Sequence, residues 1–253
     1  MTEARARDII TIITAGLFVI LLTAMLVLAP AASARAEALV AIDIGHSSAR
    51  PGASSARGRP EFEFNLAFAQ LLQQALAERQ ARSLLIGADG RMDDLGARAP
   101  LAARAGATLL VSVHHDSAQP RYLQPWTWLG RPHQFTDRFA GFSVFVSRRN
   151  PDPATSLACA RAVGRSLQQA GRPVARHHAE DIPGENRPWA DEAAGVYHFD
   201  DLVVLRSAGS AALLVELAVI VNPADELLAQ DARHQQAWAQ AIAAGLAACG
   251  ALR

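Results

Sequence analysis

The stretch ATLLVSVHHDS, residues 107–117, is largely apolar through Val113 and then stops on His114, His115 and Asp116. A short apolar run bounded by polar residues reads as a buried strand. In open α/β sheets ligands bind outside the carboxyl ends of the strands. Titratable residues at the end of this run therefore mark a candidate site. Successive strand side chains alternate between faces, so the two histidines do different work. The pattern leaves open which of them faces the site.

Four other runs look the same: ALVAIDI (38–44), RSLLIGA (82–88), GFSVFVS (141–147) and AALLVELAVI (211–220). Between them, EFNLAFAQLLQQALAERQ (63–80), PATSLACARAVGRSLQQAG (153–171) and DARHQQAWAQAIAAGLAACG (231–250) carry apolar residues at helical spacing. DDLGARAPLAARAG (93–106) predicts a helix broken or restarted at Pro100. Strands alternating with helices predict an α/β fold: a single domain with a mostly parallel twisted sheet and helices on both faces. Residues 118–140 and 172–201 fit no element, and loops of that length are functional or mobile. No internal repeat or low-complexity tract interrupts the chain.

The 253 residues suffice for one sizeable core. Twenty-four arginines (lysine is absent) balance 24 acidic residues. Such a balance lacks the basic footprint of a nucleic-acid binder, so no nucleic-acid partner is expected. Residues 1–8 carry two arginines, 9–29 are free of charge, and AASARAEA (31–38) offers small-residue cleavage sites. This is the layout of an export signal, and the apolar segment is also long enough to span a bilayer. Residues 1–37 are thus expected to be a signal peptide or an N-terminal membrane anchor, with 38–253 as the catalytic domain. Either way the domain lies outside the cytoplasm, periplasmic or in the cell envelope, with 9–29 the segment that would anchor it to the inner membrane. Cys159 and Cys249 sit in alanine-rich helical patterns without a CxxC. They read first as two small buried residues, and as a disulfide if the compartment is oxidising.

The strand ends gather chemistry. IDIGH puts His46 past the first strand, SVHHD puts His114 or His115 at the end of the third, and LLVELAV places Glu216 inside an apolar run. A glutamate there is costly unless paired or used. Glu61 and Glu63 open the helix after the first strand. Two histidines and a carboxylate plus one water form the open shell of a catalytic zinc. A further glutamate beside them can move the water proton to a leaving amine. The chemistry indicated is metal-assisted amide hydrolysis, although no HExxH motif occurs.

These residues carry a family resemblance. IDIGHSSARPGA (42–53), EFEFNLAFAQLL (61–72), LLVSVHHDS (109–117) and LLVELAVIVNPADELLA (213–229) resemble, in order, four blocks of the zinc-dependent N-acetylmuramoyl-L-alanine amidases of bacterial cell walls. The last block is the most specific. The resemblance implies Zn2+ held by His46, Glu61 and His114, with Glu216 as acid/base. It also implies an α/β sheet domain, and a peptidoglycan substrate cut at the amide between the muramic acid lactyl group and L-alanine. Asp43 and Asp116 are candidates for hydrogen bonds behind the histidines, and Arg206 for a substrate carboxylate or an oxyanion. Glu63 is a possible substitute for Glu61. His177 and His178 read as solvated loop residues, His115 as a neighbour at the site's rim, and His133, His198 and His234 as surface residues. Trp126 and Trp128 would either line a groove or pin their own loop. Ile44, Ser47 and Ser48 replace residues usual in the first block, and Ala218 and Val219 two of the last. The 185–208 stretch matches least well. Some members carry an inserted segment that covers the zinc, and 172–201, with Glu180, Asp181, Glu185, Asp191 and Glu192, is a candidate for that role. A protein activator is an admissible partner. Two other readings stand beside the amidase: a zinc peptidase or amidase on another exported substrate, and a non-catalytic wall-binding or activator protein on an amidase fold.

Overall fold

The computed structural model describes residues 38–253. The export or anchor segment expected over 1–37 lies outside them. Among the described residues no helix is long and apolar enough to cross a membrane.

The apolar runs form the core of one seven-stranded sheet. In chain order the strands are β1 (Leu39–Ile44), β2 (Arg82–Ile86), β3 (Leu109–Asp116), β4 (Gln124–Trp128), β5 (Arg131–Phe135), β6 (Ser143–Val146), β7 (Trp189–Asp191), β8 (Val196–His198) and β9 (Ala211–Val219). The sheet order is β2-β1-β3-β9-β6-β8-β7, with β4 and β5 in a separate hairpin. β2, β1, β3 and β9 run parallel, and β6 pairs antiparallel to β9 but parallel to β8. The sheet is mostly parallel, as the alternation of elements predicts.

Six helices cover it: α1 (Glu61–Ala77), α2 (Leu95–Arg104), α3 (Pro153–Gln169), α4 (Val203–Arg206), α5 (Pro223–Gln230) and α6 (Ala232–Ala248). Period-two alternation divides the core. Val40, Ile42, Val111, Val113, Leu213 and Val215 face α1, α3 and α6. Ala41, Leu110, Ala212 and Leu214 face the opposite side, with α2 and α4. Both layers predicted for a doubly covered sheet are present.

Three expectations are corrected. α2 runs unbroken through Pro100. That residue lies just beyond the first turn, so its missing N–H removes a single ladder bond, and Asp94 caps the helix by accepting from Gly96 N–H. The 172–201 stretch is not a loop throughout: it contributes β7 and β8 to the sheet edge and a short 3-10 turn, His177–Ala179. The 118–140 stretch holds the β4–β5 hairpin.

Asn222 caps α5 from its side chain, and the two acidic residues that follow are structural. Asp225 pairs with buried Arg172 at 2.7 Å, and Glu226 accepts from Arg57 at 2.6 Å. Cys159 on α3 and Cys249 after α6 form a disulfide, rather than two separate buried thiols. It ties together two helices that pack on the same sheet face. Replacing both cysteines with serine is expected to lower stability by about 2–4 kcal/mol. Denaturant unfolding of the variant against the oxidised parent measures the loss.

Candidate active site

Strand parity separates the two histidines. His114 shares the face of Leu110 and lies in register with Glu216 on β9. His115 points the other way, fully buried against Phe64 and Phe68 of α1. It is a core residue and not, as expected, at the site's rim. Its Nδ1 meets Asn65 Oδ1 at 2.7 Å. Burial pushes its pKa down to about 3, so the ring stays neutral.

Glu61 opens α1 at the carboxyl edge of the sheet and sits between the other two histidines. Its Oε2 lies 2.9 Å from His46 Nε2 and its Oε1 3.0 Å from His114 Nδ1. One donor atom from each of the three residues falls within 4.8 Å of the others. Asn65 Nδ2 donates to Glu61 Oε1 at 3.2 Å and Ala53 N–H to Oε2 at 3.0 Å. Burial works to raise the Glu61 pKa, but the hydrogen bonds with His114 and His46 outweigh it and hold the carboxyl well below its usual range. Glu63, the possible substitute, is exposed and pairs with Arg59 instead.

The backbone makes room for this cluster. A Cβ on Gly45 would collide with the His114 ring, and one on Gly52 with Glu61 Oε2 and the His46 ring. His46 itself has φ 68°, a left-handed conformation costing a non-glycine residue about 1–3 kcal/mol. Buried Arg98 holds it there. Its guanidinium donates to the carbonyls of Ile44, His46 and Met92, and to Asp43 Oδ1 at 2.7 Å. Ser112 Oγ donates to the other Asp43 oxygen at 2.6 Å. Asp43 therefore supports the loop through Arg98 and does not hydrogen-bond a ligand histidine, contrary to expectation.

Glu216 lines a cleft of about 340 Å³ together with His46 and His114. Its Oε2 has no hydrogen-bond partner. Burial first, then the charges of Asp116 and Glu61, push its pKa well above the usual carboxylate range. Phe145, Phe199 and Leu202 supply apolar wall, and Glu185 and Arg187 polar wall. Arg206 is exposed and is not among the residues lining this cleft.

Asp116 also departs from expectation. It contacts His177 and His178, at 3.0 and 2.8 Å, and neither His46 nor His114. Those two histidines are buried instead of solvated, because Asp116 and the rings of Phe139 and Phe145 enclose them. Of the remaining histidines, His234 is exposed, while His133 and His198 are partly buried. Trp126 and Trp128 stack on each other under Arg57, and Trp126 Nε1 donates to Ala56 O at 2.7 Å. They pin the hairpin and do not line the cleft.

A family model described as N-acetylmuramoyl-L-alanine amidase matches residues 40–248. The chain belongs to this amidase family. It is an enzyme of the N-acetylmuramoyl-L-alanine amidase class, acting on cell-wall peptidoglycan. Solved amidases share the fold. Ami1 from Mycobacterium smegmatis superposes with a TM-score of 0.66 at 22% identity, over 84% of this chain and 96% of that one. The catalytic domain of CwlV from Bacillus (Paenibacillus) polymyxa var. colistinus gives 0.63 at 21% identity, over 85% and 99%. CwlD from Clostridioides difficile, in complex with the GerS lipoprotein, gives 0.64 at 17% identity, over 85% and 100%. No curated protein matches the chain.

Sequence reasoning gives no role to Asn65, Arg98 or Arg187, and to Glu185 only a place in the segment that could cover the site. Asn65 had a signal, one helical turn after Glu61 on the same face. Arg98 had none, since only the fold brings it under the 44–46 backbone. The parity of β3 gives a sharp test of the two histidines in this amidase. If His46, Glu61 and His114 hold a metal together, His114→Ala is expected to lower metal content. His115→Ala should keep that metal but lose about 1–3 kcal/mol, because Asn65 is left with an unsatisfied buried acceptor. Metal content and thermal unfolding of the two variants separate the roles.

Proposed function

We propose that the chain is an exported, zinc-dependent amidase that releases stem peptides from peptidoglycan by cutting the bond between the N-acetylmuramic acid lactyl group and L-alanine. The observation that carries this reading is the convergence of His46, Glu61 and His114 on one point, with Glu216 beside them in the same cleft. Two imidazole nitrogens and a carboxylate suit zinc. The cleft side of His46, whose side chain is 31% exposed, leaves an approach for water and substrate. When bound, zinc supplies a Lewis acid and lowers the pKa of a water.

This chain's residues do the rest. Glu61 would share the metal with both imidazoles, and Asn65 and the Ala53 N–H hold Glu61 in place. Glu216 accepts the water proton and delivers it to the departing L-alanine nitrogen. A carboxyl whose pKa burial and neighbouring charges raise is suited to holding and returning that proton. Phe145, Phe199 and Leu202 limit water on one side of the cleft.

Residues 1–37 are read as a signal peptide or membrane anchor and 38–253 as the catalytic domain. The Cys159–Cys249 disulfide supports an oxidising compartment outside the cytoplasm. A protein activator is proposed as a further partner, by analogy with the lipoprotein complex of CwlD. The test is digestion of purified peptidoglycan by the full-length protein with and without a chelator. Free peptides beginning with L-alanine, lost on chelation and restored by zinc, are expected. Absence of such peptides from a metal-loaded, folded enzyme overturns the reading.

A further inference from the structure

A second group of the same composition lies along the wall of the cleft. Asp116 Oδ2 stands 2.8 Å from His178 Nε2 and 3.0 Å from His177 Nε2. The corresponding spacings around Glu61 are 2.9 and 3.0 Å. Here too one donor atom from each residue lies within 4.8 Å of the others. Ligands about 2.0–2.1 Å from a tetrahedral zinc stand roughly 3.3 Å apart. Both groups therefore reach that geometry by opening a few tenths of an ångström.

Hydrogen bonding satisfies His178 and Asp116 but leaves His177 without a partner. His177 is 2% exposed, yet neither of its ring nitrogens has a hydrogen-bond partner. Its Nε2 is close to Asp116 Oδ2 but outside hydrogen-bond geometry, so the ring is aimed at a point beside the carboxylate. His178 has the arrangement of a metal-bound imidazole. Its Nδ1 meets Glu185 Oε2 and its Nε2 meets Asp116 Oδ2, both at 2.8 Å, so a metal would take the place of the Nε2 proton while Glu185 keeps its hold on Nδ1. Gln119 Nε2 donates to the other Glu185 oxygen at 2.9 Å, holding that carboxylate in place. Phe139 stacks on His177 with centroids 4.7 Å apart, and Phe145 meets His178 edge-on at 5.0 Å. Ring orientations are thus set by packing.

We propose that Asp116, His177 and His178 form a second site for a late first-row divalent ion of the zinc class, with Glu185 orienting His178. Imidazole and carboxylate donors suit that class. The ion ties the 3-10 turn at 177–179 to the end of β3, two residues beyond His114. It thereby fixes the cleft wall that His178 and Glu185 form.

The decisive variant leaves the new site untouched. Full-length His46→Ala/His114→Ala protein, equilibrated with zinc and freed of excess by gel filtration, is expected to retain one zinc per chain by elemental analysis. The unaltered protein should hold two, and adding His177→Ala to the double variant should remove the last one. A folded double variant with no bound zinc overturns the proposal, whatever the triple variant does. Two zinc ions in the unaltered protein but none in the folded double variant would overturn it equally.

Discussion

Glu216→Gln is expected to slow release of stem peptides by about 10²–10⁴-fold while metal content and unfolding midpoint stay near those of the parent. Glutamine keeps the shape of the side chain but can neither accept nor return a proton. Glu216 is not a ligand in the arrangement above: His114 is its register partner on β3, while the carboxylate between the two histidines is Glu61. Its Oε2 is free of any hydrogen bond, so the amide loses no partner there. Burial and the Asp116 and Glu61 charges disfavour the ionised form, so removing that charge does not cost stability. Release of stem peptides at the parental rate would remove Glu216 from the chemistry.

Arg98→Ala is expected to cost about 3–5 kcal/mol of stability. Arg98 and Asp43 pair at 2.7 Å with side chains 2% exposed on both sides. Truncating the arginine strands a carboxylate where water does not reach. It also takes the donor from three carbonyls, one of them that of His46. The loss should therefore appear twice, as a lower denaturant midpoint and as weaker metal retention at His46. A replacement of both partners, Arg98→Met with Asp43→Ala, is expected to recover part of the stability, since no unpaired charge remains. It should not recover the metal affinity, because the His46 carbonyl stays undonated. Equal recovery of both would reduce Arg98 to a structural ion pair.

The legible part of this fold was the part written in apolar runs. β1, β3, β6 and β9 are short, apolar and mostly buried on both faces, and the edge strand β2, buried only at Ile86, still carries the apolar run LLI (84–86), so all five are legible in one sequence. β4, β5 and β7 lack that signal because they carry partly exposed prolines, tryptophans and polar residues, and β8, although Val196 and Tyr197 are buried, is only three residues long. The positions of His46, Glu61, His114 and Glu216 came from family resemblance laid over strand ends. The structure brings all four to one cleft edge, with Glu61 between the histidines. What failed were statements about partners across the chain. Asp43 turns to Arg98 and Asp116 to His177 and His178, contacts spanning 55 residues or more. Local pattern carries no information on such pairings. The burial of His177 and His178 was invisible for the same reason: a polar loop sequence looks solvated until a strand-end aspartate and two phenylalanines close over it.

The place of β9 has a consequence for when the enzyme becomes able to act. It is the last strand of the described chain, yet it lies in the middle of the sheet, between β3 and β6. A polypeptide made amino end first delivers His46, Glu61 and His114 well before Glu216. The residues of the proposed metal site are then in place on a sheet with an open slot, and Glu216 arrives only when β9 fills it. Non-local pairing of this kind forms late, after the entropy of closing a long loop has been overcome. Under the proposed roles, hydrolytic competence is coupled to completion of the fold, since a chain cut short before residue 211 carries His46, Glu61 and His114 without Glu216.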